Sequence, residues 1–212
     1  MPLYSYSDLQ RKGAMLKIQE SKRMVKKASQ ILSESALLFS EDDEYDIFLS
    51  HAYKDAHIIL ALKNDLEEMN YSVYVDWVDD FNLDRSKVSK KTAAVLRQRL
   101  KTCRSLFIAH TENVHSSKWV PWELGFFDGL KARVAILPIS NEKNPGEGYS
   151  GAEFMGLYPY VTKTKAQSTH KETLWINNSE SAYVQFDSWL KGKNPPIPAR
   201  ISTLLRKLNI KN

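Results

Sequence analysis

Trp119 and Glu123 stand four residues apart in the stretch Ser116-Ser117-Lys118-Trp119-Val120-Pro121-Trp122-Glu123-Leu124-Gly125. On a helix that spacing places an indole and a carboxylate on one face, one turn apart. Pro121 is tolerated only in a first turn, where its missing N–H has no intrahelical acceptor to lose, so the sequence predicts a helix starting at Lys118 or Trp119. Glu123 then sits near a helix N-terminus. Two readings of the pair stand side by side. In one it is a functional indole and carboxylate; in the other the tryptophans pack into a core and Glu123 complements the helix dipole.

Other chemistries find little support. His57, His110, His115 and His170 are scattered without ligand spacing, there is no CxxC or HxxxH pattern, and they read as surface or core residues with no metal site. Cys103 is the single cysteine, so no disulfide forms within the chain. It follows a helical pattern with Leu96 and Leu100 on its apolar face and reads as a packed thiol. Neither G-x-G-x-x-G nor a Walker loop is present, which removes the Rossmann oxidoreductase and kinase readings.

The elements that must position these residues follow from hydrophobic patterning. Short apolar runs at Tyr45 to Ser50, Ser72 to Trp77, Ser105 to His110 and Arg133 to Ile139 alternate with helical patterns through Ala56 to Met69, Val88 to Lys101 and Trp119 to Lys131. Strands alternating with helices imply parallel pairing through right-handed crossovers, an α/β fold with helices on both faces of the sheet. Ligands of such sheets bind beyond the carboxyl ends of the strands, which selects the loops Ser50 to Asp55, Asp76 to Lys87 and Thr111 to Lys118. After the Asn144 to Gly148 loop, Leu157 to Lys163 and Thr173 to Asn177 read as two further strands.

The ends differ from the middle. Residues 1–40 carry seven Lys or Arg and three acids, and residues 191–212 carry six basic residues and no acid, whereas the centre is net acidic. Ser7 or Asp8 is positioned to cap an N-terminal amphipathic helix of about 30 residues, with Met24, Val25, Ala28, Ile31, Leu32 and Leu38 recurring on one side. The division is an N-terminal helical extension over 1–40, a domain over 45–190, and a basic C-terminal tail and helix over 191–212. The basic ends read as solvated surface, so no DNA partner is expected. No run approaches the roughly 18 apolar residues of a membrane span and the N-terminus lacks a secretory pattern, so a cytoplasmic protein is expected.

Tyr45-Asp46-Ile47-Phe48-Leu49-Ser50-His51-Ala52 with Asp55, then Val73-Tyr74-Val75-Asp76-Trp77, then Ser117-Lys118-Trp119 to Glu123 followed by Leu124-Gly125-Phe126-Phe127, resemble in order and spacing the motifs of a TIR (Toll/interleukin-1 receptor) domain. The resemblance covers Tyr45 to Ser140 and, more loosely, residues to about Leu190. It implies a flavodoxin-like fold with a central parallel five-stranded sheet. It also implies, as in bacterial antiphage systems such as Thoeris, cleavage of the nicotinamide-ribose bond of NAD+ to ADP-ribose or a cyclic ADP-ribose-type signal for a separate effector. NAD+ is then substrate, and no cofactor is expected.

Under that resemblance Glu123 is the catalytic carboxylate. A single carboxylate suffices, because breaking an N-glycosidic bond to cationic nicotinamide passes through an oxocarbenium-like state that a nearby anion stabilises. Ser50, His51 and Ala52, with Trp77, Phe81 and Arg85 of the second loop, would shape the nucleotide site, and Trp119 would wall the nicotinamide side. The second loop, Asp84-Arg85-Ser86-Lys87-Val88, lacks the glycine that the family commonly has there. Self-association through the domain surfaces or the N-terminal helix is expected. The alternative is a non-catalytic interaction module in which Glu123 is structural; a third reading is a nucleoside deoxyribosyltransferase-like enzyme, which would act on deoxynucleosides.

Overall fold

The structure, a computed structural model, describes residues 2–16, 44–76, 88–142, 146, 148–151, 153–166 and 171–197. Strands β2 (Tyr45–Ser50), β3 (Val73–Tyr74), β4 (Cys103–His110), β5 (Val134–Ser140) and β6 (Tyr160–Lys165) pair in parallel in the spatial order β3-β2-β4-β5-β6. Counted from Tyr45 this is the order 2-1-3-4-5 of a flavodoxin-like sheet. The chain reverses its direction of travel between β2 and β4, so the crevice between their carboxyl ends is the topological switch point.

Pleat parity divides the core in two. Ile47 and Leu49 of β2 and Phe107 and Ala109 of β4 face helix α2 (Ala56–Glu68), whose Ile58, Ile59, Leu62 and Leu66 are fully buried against them. Phe48 of β2 and Leu106 and Ile108 of β4 face helices α3 (Lys90–Thr102) and α4 (Val120–Lys131) through Leu96, Leu100, Val120, Leu124 and Phe127. Ser89 starts α3 by accepting the Thr92 N–H at 3.1 Å, a side-chain N-cap. Cys103 is buried in this second core, as its pattern predicted.

The sheet is larger than the five parallel strands. β7 (Glu172–Ser179) and β8 (Ala182–Gln185) extend it in antiparallel pairing beyond β6, and helix α5 (Phe186–Leu190) returns Phe186 and Trp189 to the α2-side core. β8 is short and was not legible from its four residues. At the other end of the chain, β1 (Tyr4–Ser5) pairs in parallel with Ile139 and Ser140 of β5. Helix α1 follows over residues 6–16, so Ser7 and Asp8 lie inside its first turn and not at the expected cap. The face Met24 to Leu38 lies outside the described residues, as does the C-terminal segment 201–208.

Residues 4–16 pack into the fold that follows them. Tyr4 and Leu9 belong to the α2-side core. Gly13 lies against the His57 carbonyl, where a Cβ has no room. Tyr6 Oη and His57 Nε2 share a hydrogen bond of 3.1 Å. Asp65 of α2 accepts from Lys12 at 2.9 Å and from Lys163 of β6 at 2.6 Å, tying three elements through one carboxylate that is 5% exposed. Burial pushes the Asp65 carboxyl up, but the hydrogen bonds and charges of Lys163 and Lys12 outweigh it and leave the group below its ordinary value. No helix among the described residues is long and apolar enough to cross a membrane.

A carboxyl whose pKa is lowered on folding contributes stability above its unfolded value, and the contribution is lost as pH falls through the folded value. Asp65→Asn is therefore expected to lower the unfolding free energy by about 2 kcal/mol near neutral pH, measured by urea denaturation. The difference from the unsubstituted protein should shrink below about pH 4. A difference that is absent near neutrality, or that grows in acid, contradicts the assignment.

Candidate active site

Ser50 is the last residue of β2, and the same parity that turns Phe48 toward α3 and α4 turns Ser50 toward them. Its hydroxyl donates to Glu123 Oε2 at 2.5 Å, the length of a charge-assisted bond to a carboxylate. Glu123 lies in the first turn of α4, whose free N–H groups and dipole favour negative charge. The turn forms where the sequence predicted: Trp119 is the N-cap, Pro121 occupies the first turn, and the Glu123 N–H donates to the Trp119 carbonyl at 2.8 Å. Both Ser50 and Glu123 are 0% exposed, so the carboxylate is sealed from water in this conformation.

The other expected residues fall into two groups. His51 and Ala52 are buried directly after Ser50, with His51 Nδ1 3.1 Å from the Leu49 carbonyl. Trp119, 6% exposed, belongs to the core on the α4 side and meets Trp122 edge to face at 5.5 Å. Trp122 stacks on Phe126 and lies under the Arg97 guanidinium, which continues the aromatic row along α4. Trp77, Phe81 and Arg85 lie outside the described residues. No group of three or more His, Cys, Asp or Glu side chains among the described residues is arranged to hold a metal ion.

The structure adds a clamp that the residue types did not announce. Asp55 follows β2 in a short 3-10 turn (Tyr53–Asp55) and has no solvent exposure. Its carboxylate accepts from Thr111 Oγ1 at 2.5 Å and from Asn113 Nδ2 at 2.7 Å. Thr111 also accepts the Asn113 N–H at 3.1 Å, forming a local hydroxyl turn that leads into a second 3-10 turn (Val114–Ser116) and then α4. Asp55 thus joins the loop after β2 to the loop after β4, the two walls of the switch point. Thr111-Glu112-Asn113 directly after a strand is a turn-forming sequence, and that was the available signal.

Comparison with known proteins bears on the family of the chain. No family model matches the chain. It is 49% identical over 164 residues to the "Probable 3' cyclic ADP-D-ribose synthase ThsB'" of Bacillus cereus (strain MSX-D12), a match that spans 77% of this chain and 84% of that protein. The chain belongs to the bacterial Thoeris-type TIR-domain proteins. A second relative, the "Putative cyclic ADP-D-ribose synthase TIR2" of Cytobacillus dafuensis, is 32% identical over 99 residues, 46% of this chain and 26% of that protein.

In this TIR domain the Asp55 clamp makes a measurable demand. Asp55→Ala leaves the Thr111 hydroxyl and the Asn113 amide without their acceptor, and is expected to cost about 2 kcal/mol of stability. Thr111→Val removes one donor. Combined in a double-mutant cycle, the two should be non-additive by more than about 0.5 kcal/mol in urea unfolding. Simple additivity would show that the two loops are not coupled through this carboxylate.

Proposed function

We propose that this TIR protein cleaves the nicotinamide-ribose bond of NAD+ and passes the ADP-ribosyl group to an internal hydroxyl or to water. The product is a cyclic ADP-ribose-type nucleotide or linear ADP-ribose, and it serves as a diffusible signal to a separate effector in cytoplasmic antiphage defence. The observation that carries the reading is the Ser50–Glu123 pair at the switch point, held in the first turn of α4. The names of the two relatives, both cyclic ADP-D-ribose synthases by name, support the reaction class.

Nicotinamide leaves as a neutral base, so the bond breaks without a proton donor to the leaving group, and the task of the site is to stabilise the oxocarbenium-like ribose. The Glu123 carboxylate supplies that charge, and the Ser50 hydroxyl fixes its orientation. Ser50, His51 and Ala52 form the wall on the β2 side, Trp119 shields the nicotinamide side, and Trp77, Phe81 and Arg85 contribute stacking and phosphate contacts from the second loop. Because Glu123 is sealed, substrate reaches it only after the covering groups move. We assign that opening to self-association, which would make turnover depend on protein concentration.

The same sealing favours a second reading, in which Glu123 is structural and the domain is an interaction module. Nicotinamide release from NAD+ separates the two. Glu123→Gln keeps the shape of the side chain and is expected to lower release by about 100-fold or more while retaining the thermal midpoint. Release at the unsubstituted rate removes Glu123 from the chemistry, and no release from any form, including an enforced oligomer, supports the interaction module.

A further inference from the structure

His110 ends β4 at the carboxyl edge of the sheet. Leu106 and Ile108 share its parity and face α3 and α4, so His110 points to the same side of the sheet as Ser50. Ser50 pairs with Ile108. His110 is one strand over and two residues further along, which places its Cα about 8 Å from that of Ser50 by sheet geometry. Around its ring lie His115 of the turn before α4, with centroids 5.8 Å apart, and Tyr149, with centroids 5.4 Å apart and the rings at 74°. Tyr149 in turn meets Tyr160 of β6 at 5.8 Å.

His110 Nε2 and the Tyr149 hydroxyl are both buried, and neither has a hydrogen-bond partner among the described residues. Native interiors rarely keep a buried polar atom without a partner, because its lost hydration is not replaced. Two such atoms on rings in contact, beside the candidate site, form polar surface that the described residues leave unpaired. Burial and the neighbouring His115 hold the His110 imidazole below its ordinary pKa, and burial pushes the Tyr149 phenol up to about 12. Near neutral pH the pair therefore offers a neutral imidazole, with one acceptor nitrogen, and an intact hydroxyl.

We propose that His110 is the base that receives the hydroxyl proton when the ADP-ribosyl group closes on itself, with the Tyr149 hydroxyl as a second contact to the same ribose. The inference rests on the NAD+ reading above. The bond from the ribosyl anomeric carbon to nicotinamide breaks, and its electron pair stays with nicotinamide, which leaves neutral. A hydroxyl oxygen of the second ribose forms the new bond to the anomeric carbon, and its proton passes to His110 and then to solvent. The separation from Ser50, about 8 Å between Cα atoms by sheet geometry, lies within the span of a folded dinucleotide.

The test is product analysis by mass spectrometry on the full chain with NAD+, comparing unsubstituted protein with His110→Gln and Tyr149→Phe. In His110→Gln, formation of cyclic product should fall by about 100-fold, and the ratio of cyclic to linear ADP-ribose should fall with it, while total nicotinamide release drops far less than in Glu123→Gln. Tyr149→Phe should shift the ratio in the same direction by a smaller factor, and it carries the test if His110→Gln fails to fold. A ratio unchanged in both, or an unsubstituted protein that makes only linear product, overturns the assignment of His110. Failure of the NAD+ reading has a different signature, which is release that is absent from the unsubstituted protein or untouched by Glu123→Gln. As a readout independent of turnover, the ring-nitrogen NMR signal of His110 in Glu123→Gln should move on adding NAD+, and a stationary signal argues against contact.

Discussion

A carboxylate out of reach of water must be met by donors, and this constraint organises the carboxyl edge of the sheet twice. Glu123 is met by the Ser50 hydroxyl in the first turn of α4, and Asp55 is met by Thr111 and Asn113. Each pairing joins something from β2 or its loop to something from the loop or helix after β4. The two strands are neighbours only because the sheet reverses its order there. The crossover that creates a crevice is bridged by polar pairs, and apart from Glu123 their side chains are short, so few rotamers need to be fixed.

Much of this was legible in the sequence, for identifiable reasons. The five parallel strands were visible because each is a short apolar run between helical patterns, and the α4 start was visible because Pro121 fits only a first turn. Ser50 and Glu123 were both singled out, but their direct bond was not, since strand parity and helix register say which way a side chain points and not how far it reaches. β1 and β8 were missed because two and four residues carry no periodicity. Thr111 and Asn113 went unremarked because their role exists only relative to Asp55, more than fifty residues earlier. His110 read as a bland histidine, and its nitrogen without a partner among the described residues, with the rings of His115 and Tyr149 beside it, distinguishes it in the fold.

The N-terminal segment shows packing that local sequence does not reveal. The charge shift at the chain's start suggested an extension, yet residues 4–16 share a core with α2 and are held by Asp65, which also holds β6. The β1 strand uses the end of β5 and α1 covers α2, the helix that follows the Asp55 turn. The α2 side of the fold is thus completed by its own N-terminal segment, while the α4 side carries the candidate chemistry.

The central claim is that Glu123 meets the ribose of NAD+ once the crevice opens. A crystal structure of the Glu123→Gln variant with NAD+ tests it most directly. The account predicts the nicotinamide ribose between residue 123 and Ser50, its anomeric carbon about 3.5 Å from the side chain, with the second ribose turned toward His110. NAD+ bound elsewhere, with residue 123 still sealed behind Ser50, would contradict it.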